Sequence, residues 1–171
     1  GAVGGLFGGA GGGAGFGLGA GTRRNAGKRM LWIAQDFSAS EYGGLSPNGL
    51  AELGIDPARL FLLRAADAAA ALRAGVDALS CSGLGVVIME LIGNPKVLDL
   101  VASRRLVLAA QNRNVTAFVL RHDAASEPSA AQTRWQMPSP PSAAPHAGGI
   151  QRARPELFPN RHGVAGHSGR T

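Results

Sequence analysis

From Lys28 to Arg121 the chain alternates short apolar runs with helix-like stretches, the rhythm of β-α-β units around a mostly parallel sheet. Residues 30–34 (MLWIA) are apolar without alternation, as a strand covered on both faces has to be. Residues 36–49 are polar and turn-rich. Pro47, Asn48 and Gly49 then open a short helix over residues 50–53 that Gly54 stops, and Asp56-Pro57 marks a turn before a second strand over 60–64. Residues 67–79 are rich in strong helix formers and bring Leu72, Val76 and Leu79 to one face. The most apolar stretch, 85–89 (GVVIM), predicts the centre of the sheet. Asn94-Pro95 predicts a helix start, Asn as cap and Pro where its missing N–H costs nothing, with the helix running to about Asn112. Residues 114–120 (NVTAFVL) predict a fourth strand from their β-branched and aromatic side chains.

The flanks read differently. Residues 1–21 hold twelve glycines and no charge, and glycine at that density resists helix and strand alike, so residues 1–27 are expected as a Gly-rich leader. Residues 28–123 form the expected compact α/β domain. Residues 124–171 fall away into Pro, Ser, Ala and Gly, too poor in apolar groups to bury a core, with short strands expected only at 133–137 and 156–158.

Length and charge narrow the class. A chain of 171 residues fits one domain. The formal charge of +6 comes from 17 bases and 11 acids spread along the whole chain, and no block concentrates it. That weakens the case for a nucleic-acid groove, which needs clustered Lys or Arg. A single cysteine, Cys81, excludes a disulfide scaffold and suits a reducing compartment. The best apolar run, 84–92, is about half the roughly 20 residues a spanning helix needs and contains Glu90. A soluble, cytoplasmic protein is expected. No signal peptide is recognisable, and the lack of an initiator Met suggests that the true start is missing.

Candidate chemistry is sparse. The P-loop pattern G-x(4)-G-K-[ST] fails, because Gly27-Lys28 is followed by Arg29 and Thr22 stands where the first glycine belongs. Looser dinucleotide-type matches at Gly9/Gly11/Ala14 and Gly15/Gly17/Ala20 are expected by chance in so many glycines. Loop amides can still cradle an anion, but hydrolysis would lack the lysine and the metal-ligating hydroxyl. Asp36 and Glu90 follow apolar strands, and carboxylates at the carboxyl ends of parallel strands can share a crevice and hold Mg²⁺ through water. The plainer alternative makes each a solvated strand-end residue. His162 and His167 lack a Cys or acidic partner nearby, and His122 and His146 stand alone, so surface histidines are the expectation. Cys81, between Ser80 and Ser82, reads as a small turn residue. Arg104 and Arg105 lie mid-helix and diverge by about 100° around it. They suit a contact to acidic groups of a partner protein or to DNA phosphate, or else stems that snorkel over the sheet edge.

The segment 49–64 (GLAELGIDPARLFLLR), the Ala-rich helix through Leu79, the strand 86–90, the run 98–110 (LDLVASRRLVLAA) and 114–121 (NVTAFVLR) together resemble the RecA/SulA-related ImuA proteins of bacterial translesion mutasomes. Thr133-Arg134-Trp135, Glu156-Leu157 and Asn160 to Gly163 are similar to that family's closing segment, so the resemblance covers roughly residues 1–163. It implies a RecA-like three-layer fold and a non-catalytic accessory role in damage-induced, error-prone synthesis. The implied partners are a Y-family polymerase-like protein and an error-prone replicative-type polymerase, with the recombinase filament or DNA as further candidates, and no membrane and no cofactor. It also implies where a vestigial nucleotide site would stand: Gly8 to Phe16, with Gly8 and Gly13 as its glycines, at the phosphate loop, and Ala14 and Gly15 in place of its Lys and Thr; Asp36 at the catalytic carboxylate; Glu90 at the acidic end of the Walker B strand; and His122 near the nucleotide-sensing glutamine. Where the family commonly has His-Glu after the opening residues, this chain has Gly4-Gly5. Shared ancestry leaves two further readings, a SulA-like inhibitor of the division GTPase FtsZ and a nucleotide-dependent RecA-like regulator; a degenerate remnant is the fourth.

Overall fold

A computed structural model describes residues 2–7, 27–125, 127–137 and 156–158. Seven strands form one sheet: β1 (Ala2–Phe7), β2 (Arg29–Gln35), β3 (Leu60–Ala65), β4 (Leu84–Ile92), β5 (Thr116–His122), β6 (Thr133–Met137) and β7 (Glu156–Phe158). Their order across the sheet is β3-β2-β4-β5-β1-β6-β7. The first four are parallel, and from β5 onward every pairing is antiparallel. The fold is therefore mixed α/β, with its parallel character confined to four strands.

Among the described residues four α-helices accompany this sheet: α1 (Ser38–Tyr42), α2 (Pro47–Glu52), α3 (Ala68–Leu79) and α4 (Leu100–Arg113). Strand period decides which side chains each helix meets. On one face Ile33, Val87, Met89, Leu91, Ala117 and Val119 pack against Ala71, Leu72 and Leu79 of α3 and Leu106 and Ala110 of α4. On the other, Met30, Val86 and Ile88 meet Leu50 of α2 and Ile55. Covered on both faces, β4 is buried from Leu84 through Leu91, as its apolar run 84–89 requires, with the charged Glu90 buried beside it. It lies between two parallel neighbours, inside the sheet but third of its seven strands, so the middle place its composition predicts falls to β5.

Three expectations are corrected. Ala2–Phe7 lies within the expected leader, yet it is a strand paired to β5 on one side and β6 on the other. Its glycines have little intrinsic strand preference, but ladder pairing along both edges outweighs propensity. The helix expected from Asn94-Pro95 begins at Leu100, because the Asn94 side chain is spent elsewhere: its Oδ1 accepts from the Ala125 N–H (2.8 Å) and its Nδ2 donates to the Ala125 carbonyl (3.2 Å). Asp99 caps instead, accepting from Ala102 N at 2.7 Å. The sheet is parallel over fewer strands than "mostly parallel" implies, since β1 joins it running the other way. The short strands expected at 133–137 and 156–158 are present and pair with each other.

Candidate functional site

The carboxyl ends of β2, β4 and β5 converge on Glu90. Register sets Glu90 beside Ala34 on one side and Leu120 on the other, and its side chain is buried. Burying a carboxylate is costly unless donors surround it. Here three do: Trp32 Nε1 donates to Oε2 at 2.7 Å, Ser38 Oγ donates to Oε1 at 2.8 Å, and His122 Nε2 meets Oε1 at 2.9 Å. Facing a carboxylate, Nε2 is the ring nitrogen that carries the proton.

The chain of contacts continues outward. The His122 ring stacks on Tyr42, centroids 4.2 Å apart and planes 16° from parallel. The Tyr42 hydroxyl donates to Asp123 Oδ2, and that hydrogen bond, followed by partial desolvation and the Asp123 charge, raises the phenol above its ordinary pKa. Helix α1 is thus tied down at both ends, by Ser38 on Glu90 and by Tyr42 on His122 and Asp123. Beside it, Gln35 Oε1 accepts from Ile92 N (2.8 Å) and Gly93 N donates to the His122 carbonyl (2.7 Å), clipping the loop after β4 to the end of β5. Buried Arg121 holds the next turn through Glu127 (3.2 Å) and the Ala125 carbonyl (3.2 Å).

Asp36 stands apart from this cluster. It is exposed in the turn after β2, where its backbone N–H donates to the Ala65 carbonyl (2.9 Å), which draws it toward β3 while Glu90 is on β4. Among the described residues no group of three His, Cys, Asp or Glu is placed to hold a metal ion. Gly8 and Gly13 lie outside the described residues. Phe7, the last described residue before them, pairs with Ala117, at the end of the sheet opposite Glu90 and His122. A phosphate loop follows a strand that runs parallel to its neighbours, so that the loop opens at their carboxyl ends; β1 runs against β5. The structure therefore brings Glu90 and His122 together and leaves Asp36 apart from them.

Arg104 and Arg105 occupy the outward side of α4. Ser103, Leu106 and Ala110 point inward, which leaves both arginines exposed although they diverge around the helix. One turn away on either side are exposed Val101 and Leu108. The surface is two cations set between two aliphatic groups, suited to a protein contact. The sequence did not single out Trp32, Ser38, Tyr42 or Asp123. Trp32 read as one more apolar strand residue, and nothing local says that its N–H meets a carboxylate 58 positions later.

No protein-family model matches the chain, and no curated protein matches it. Among solved structures, the chain is similar to the crystal structure of SulA from Pseudomonas aeruginosa, at 25% identity and a TM-score of 0.42, over 58% of this chain and 73% of that one.

Proposed function

We propose that this chain is a non-catalytic accessory protein of the ImuA type, acting in damage-induced translesion synthesis by bridging or regulating polymerase-like partners. The observation that carries the non-catalytic reading is the state of Glu90. A carboxylate that orders Mg²⁺ or activates water needs free lone pairs in a wet crevice. Glu90 has both oxygens engaged by Trp32, Ser38 and His122 within the protein. The position that the resemblance equates with the acidic end of the Walker B strand is held within the protein by these three side chains. What remains for function is surface, and the outward side of α4, with exposed Arg104 and Arg105 between exposed Val101 and Leu108, offers a partner both charge and apolar contact.

The test is a tagged pull-down from DNA-damaged cells, with and without Mg-ATP, reading polymerase-type proteins by mass spectrometry. Recovery of a polymerase-like partner regardless of ATP, lost on Arg104→Glu with Arg105→Glu, is the expected result. Cells that filament on overexpression while no polymerase is recovered would replace this reading with division inhibition. ATP-dependent recovery would replace it with a nucleotide-dependent regulator.

A further inference from the structure

Helix α4 carries three cations, Arg104, Arg105 and Arg113, and no acid. Arg113 is accounted for: in the last turn it faces the negative end of the helix dipole. Arg104 and Arg105 sit mid-helix, where a charge is relieved by an opposite one three or four positions away, and all of those positions hold Leu, Val or Ala. Among the described residues neither guanidinium meets an acid from another element.

The two arginines straddle an apolar seam. Val101 and Leu108 are 55% and 60% exposed. Seven residues apart, they lie within about 20° of one another around the helix and about 10.5 Å apart along it, while Arg104 and Arg105 stand about 50° to either side of the line joining them.

This pattern sorts the occupants. Nucleic acid would meet the arginines through its phosphates but would set the seam between them against a hydrated backbone, and its bases would find no aromatic ring in residues 100–113 to stack on. A second copy of α4 would bring arginine to arginine, with no acid in either helix to answer them. An extended segment fits the spacing poorly, because residues on one face of a strand repeat at about 6.7 Å and about 13.4 Å, which brackets the seam without matching it. A helix with apolar residues seven apart repeats it directly. We propose that the occupant is an acidic amphipathic helix of a partner protein, laid along α4 with aliphatic side chains seven positions apart on Val101 and Leu108, and with carboxylates on both flanks of that stripe, one row to Arg104 and the other to Arg105. The aliphatic contact keeps water from the ion pairs beside it, where charge-assisted hydrogen bonds gain strength. The inference rests on the reading of α4 as a partner surface and adds the chemistry of the partner.

The probe is a synthetic helical peptide with Leu at every seventh position, Glu at the third and fourth positions after each Leu, and Ala and Gln elsewhere, its binding to the full chain read by fluorescence anisotropy. Saturable binding is expected, weakened by at least about tenfold in Arg104→Glu with Arg105→Glu, whose repulsion replaces both pairs. The same variant is expected to bind the peptide in which every Glu is Lys, a rescue that a merely unfolded variant cannot give. Val101→Ser with Leu108→Ser should also weaken the parent peptide, with an unchanged thermal melt. No binding by the parent, binding indifferent to the loss of Val101 and Leu108, absence of the Lys-peptide rescue, or tighter capture of a random duplex DNA through the same arginines would each overturn the proposal. If the peptide fails while a polymerase-like protein is still recovered from cells and lost on the arginine reversal, the partner surface stands and only the acidic helix falls. If the peptide binds and no polymerase is recovered, the acidic helix stands and the translesion role falls.

Discussion

Glu90 shows how one residue changes meaning with its surroundings. As a letter after an apolar strand it is equally a metal ligand or a solvated strand end; its three donors make it a buried anchor for α1 and for the end of β5. Removing it would strand the Trp32 and Ser38 donors, and an orphaned buried donor costs about 1–3 kcal/mol. Glu90→Ala is therefore expected to lower unfolding free energy in urea by about 2–3 kcal/mol, on that same scale. Asp36→Ala, in an exposed turn, should stay within about 0.5 kcal/mol of the parent. Equal losses from the two substitutions would show that Asp36 shares the Glu90 cluster. Tyr42 is the chain's single tyrosine, so phenolate absorbance titrates it alone. Its ionisation is expected above the ordinary 10.0, and Asp123→Asn should bring it back toward that value. The sign follows from which state keeps the proton. With the folded value raised, the contribution of this hydrogen bond is fully present below the unfolded pKa and is lost as pH rises through the folded one.

At the scale of elements, α3 lies close against β4 at Gly75. Gly75 is buried against β4, and a Cβ there would lie 2.3 Å from Met89 Sδ and 3.0 Å from its Cγ. Alanine improves helix propensity by up to about 1 kcal/mol. The overlap outweighs it, because Met89 is itself fully enclosed and overpacking a core costs about 1–3 kcal/mol. Gly75→Ala is expected to destabilise, and Gly75→Ala with Met89→Ala to lose less than the two single changes together, which a double-mutant cycle in urea would read. Helix α4 depends on Asp99 for its start, so Asp99→Ala should cost about 1 kcal/mol. Arg104→Glu with Arg105→Glu should leave the melt unchanged, as both side chains are exposed. Existence and type of β2, β3, β4, β5 and α3 were legible, because an apolar run bounded by turns, or apolar residues at helical spacing, carries its own signal. The start of α4 was not, because Asn94 was drawn to Ala125 by a loop 31 positions away.

On the scale of the whole molecule, β1 joins the parallel strands to the antiparallel ones. It is hydrogen-bonded to β5 on one edge and β6 on the other, with Gly4 in register between Leu120 and Trp135. Trp135, fully buried, packs edge-on against Phe118, centroids 6.2 Å apart. Deleting residues 1–7 is expected to abolish hydrogen-exchange protection in β6 while β2 and β4 retain theirs, since β2 pairs with β3 and β4, and β4 with β2 and β5, none of them through β1. Retained protection in β6 would show that it holds its place without β1.

What the sequence alone determined was local and periodic: the α/β class, the buried interior character of β4, the α3 face, the two short strands of the tail, and the failure of the phosphate-loop pattern. Each rests on side chains within a few positions of one another, where hydrophobic spacing and turn chemistry act directly. Tertiary structure alone decided that Ala2–Phe7 enters the sheet against β5, that Glu90 is held by Trp32, Ser38 and His122, and that β3 presents exposed apolar side chains on both faces. Those outcomes depend on pairing and burial between segments far apart in the chain, and local preference is too weak to specify them.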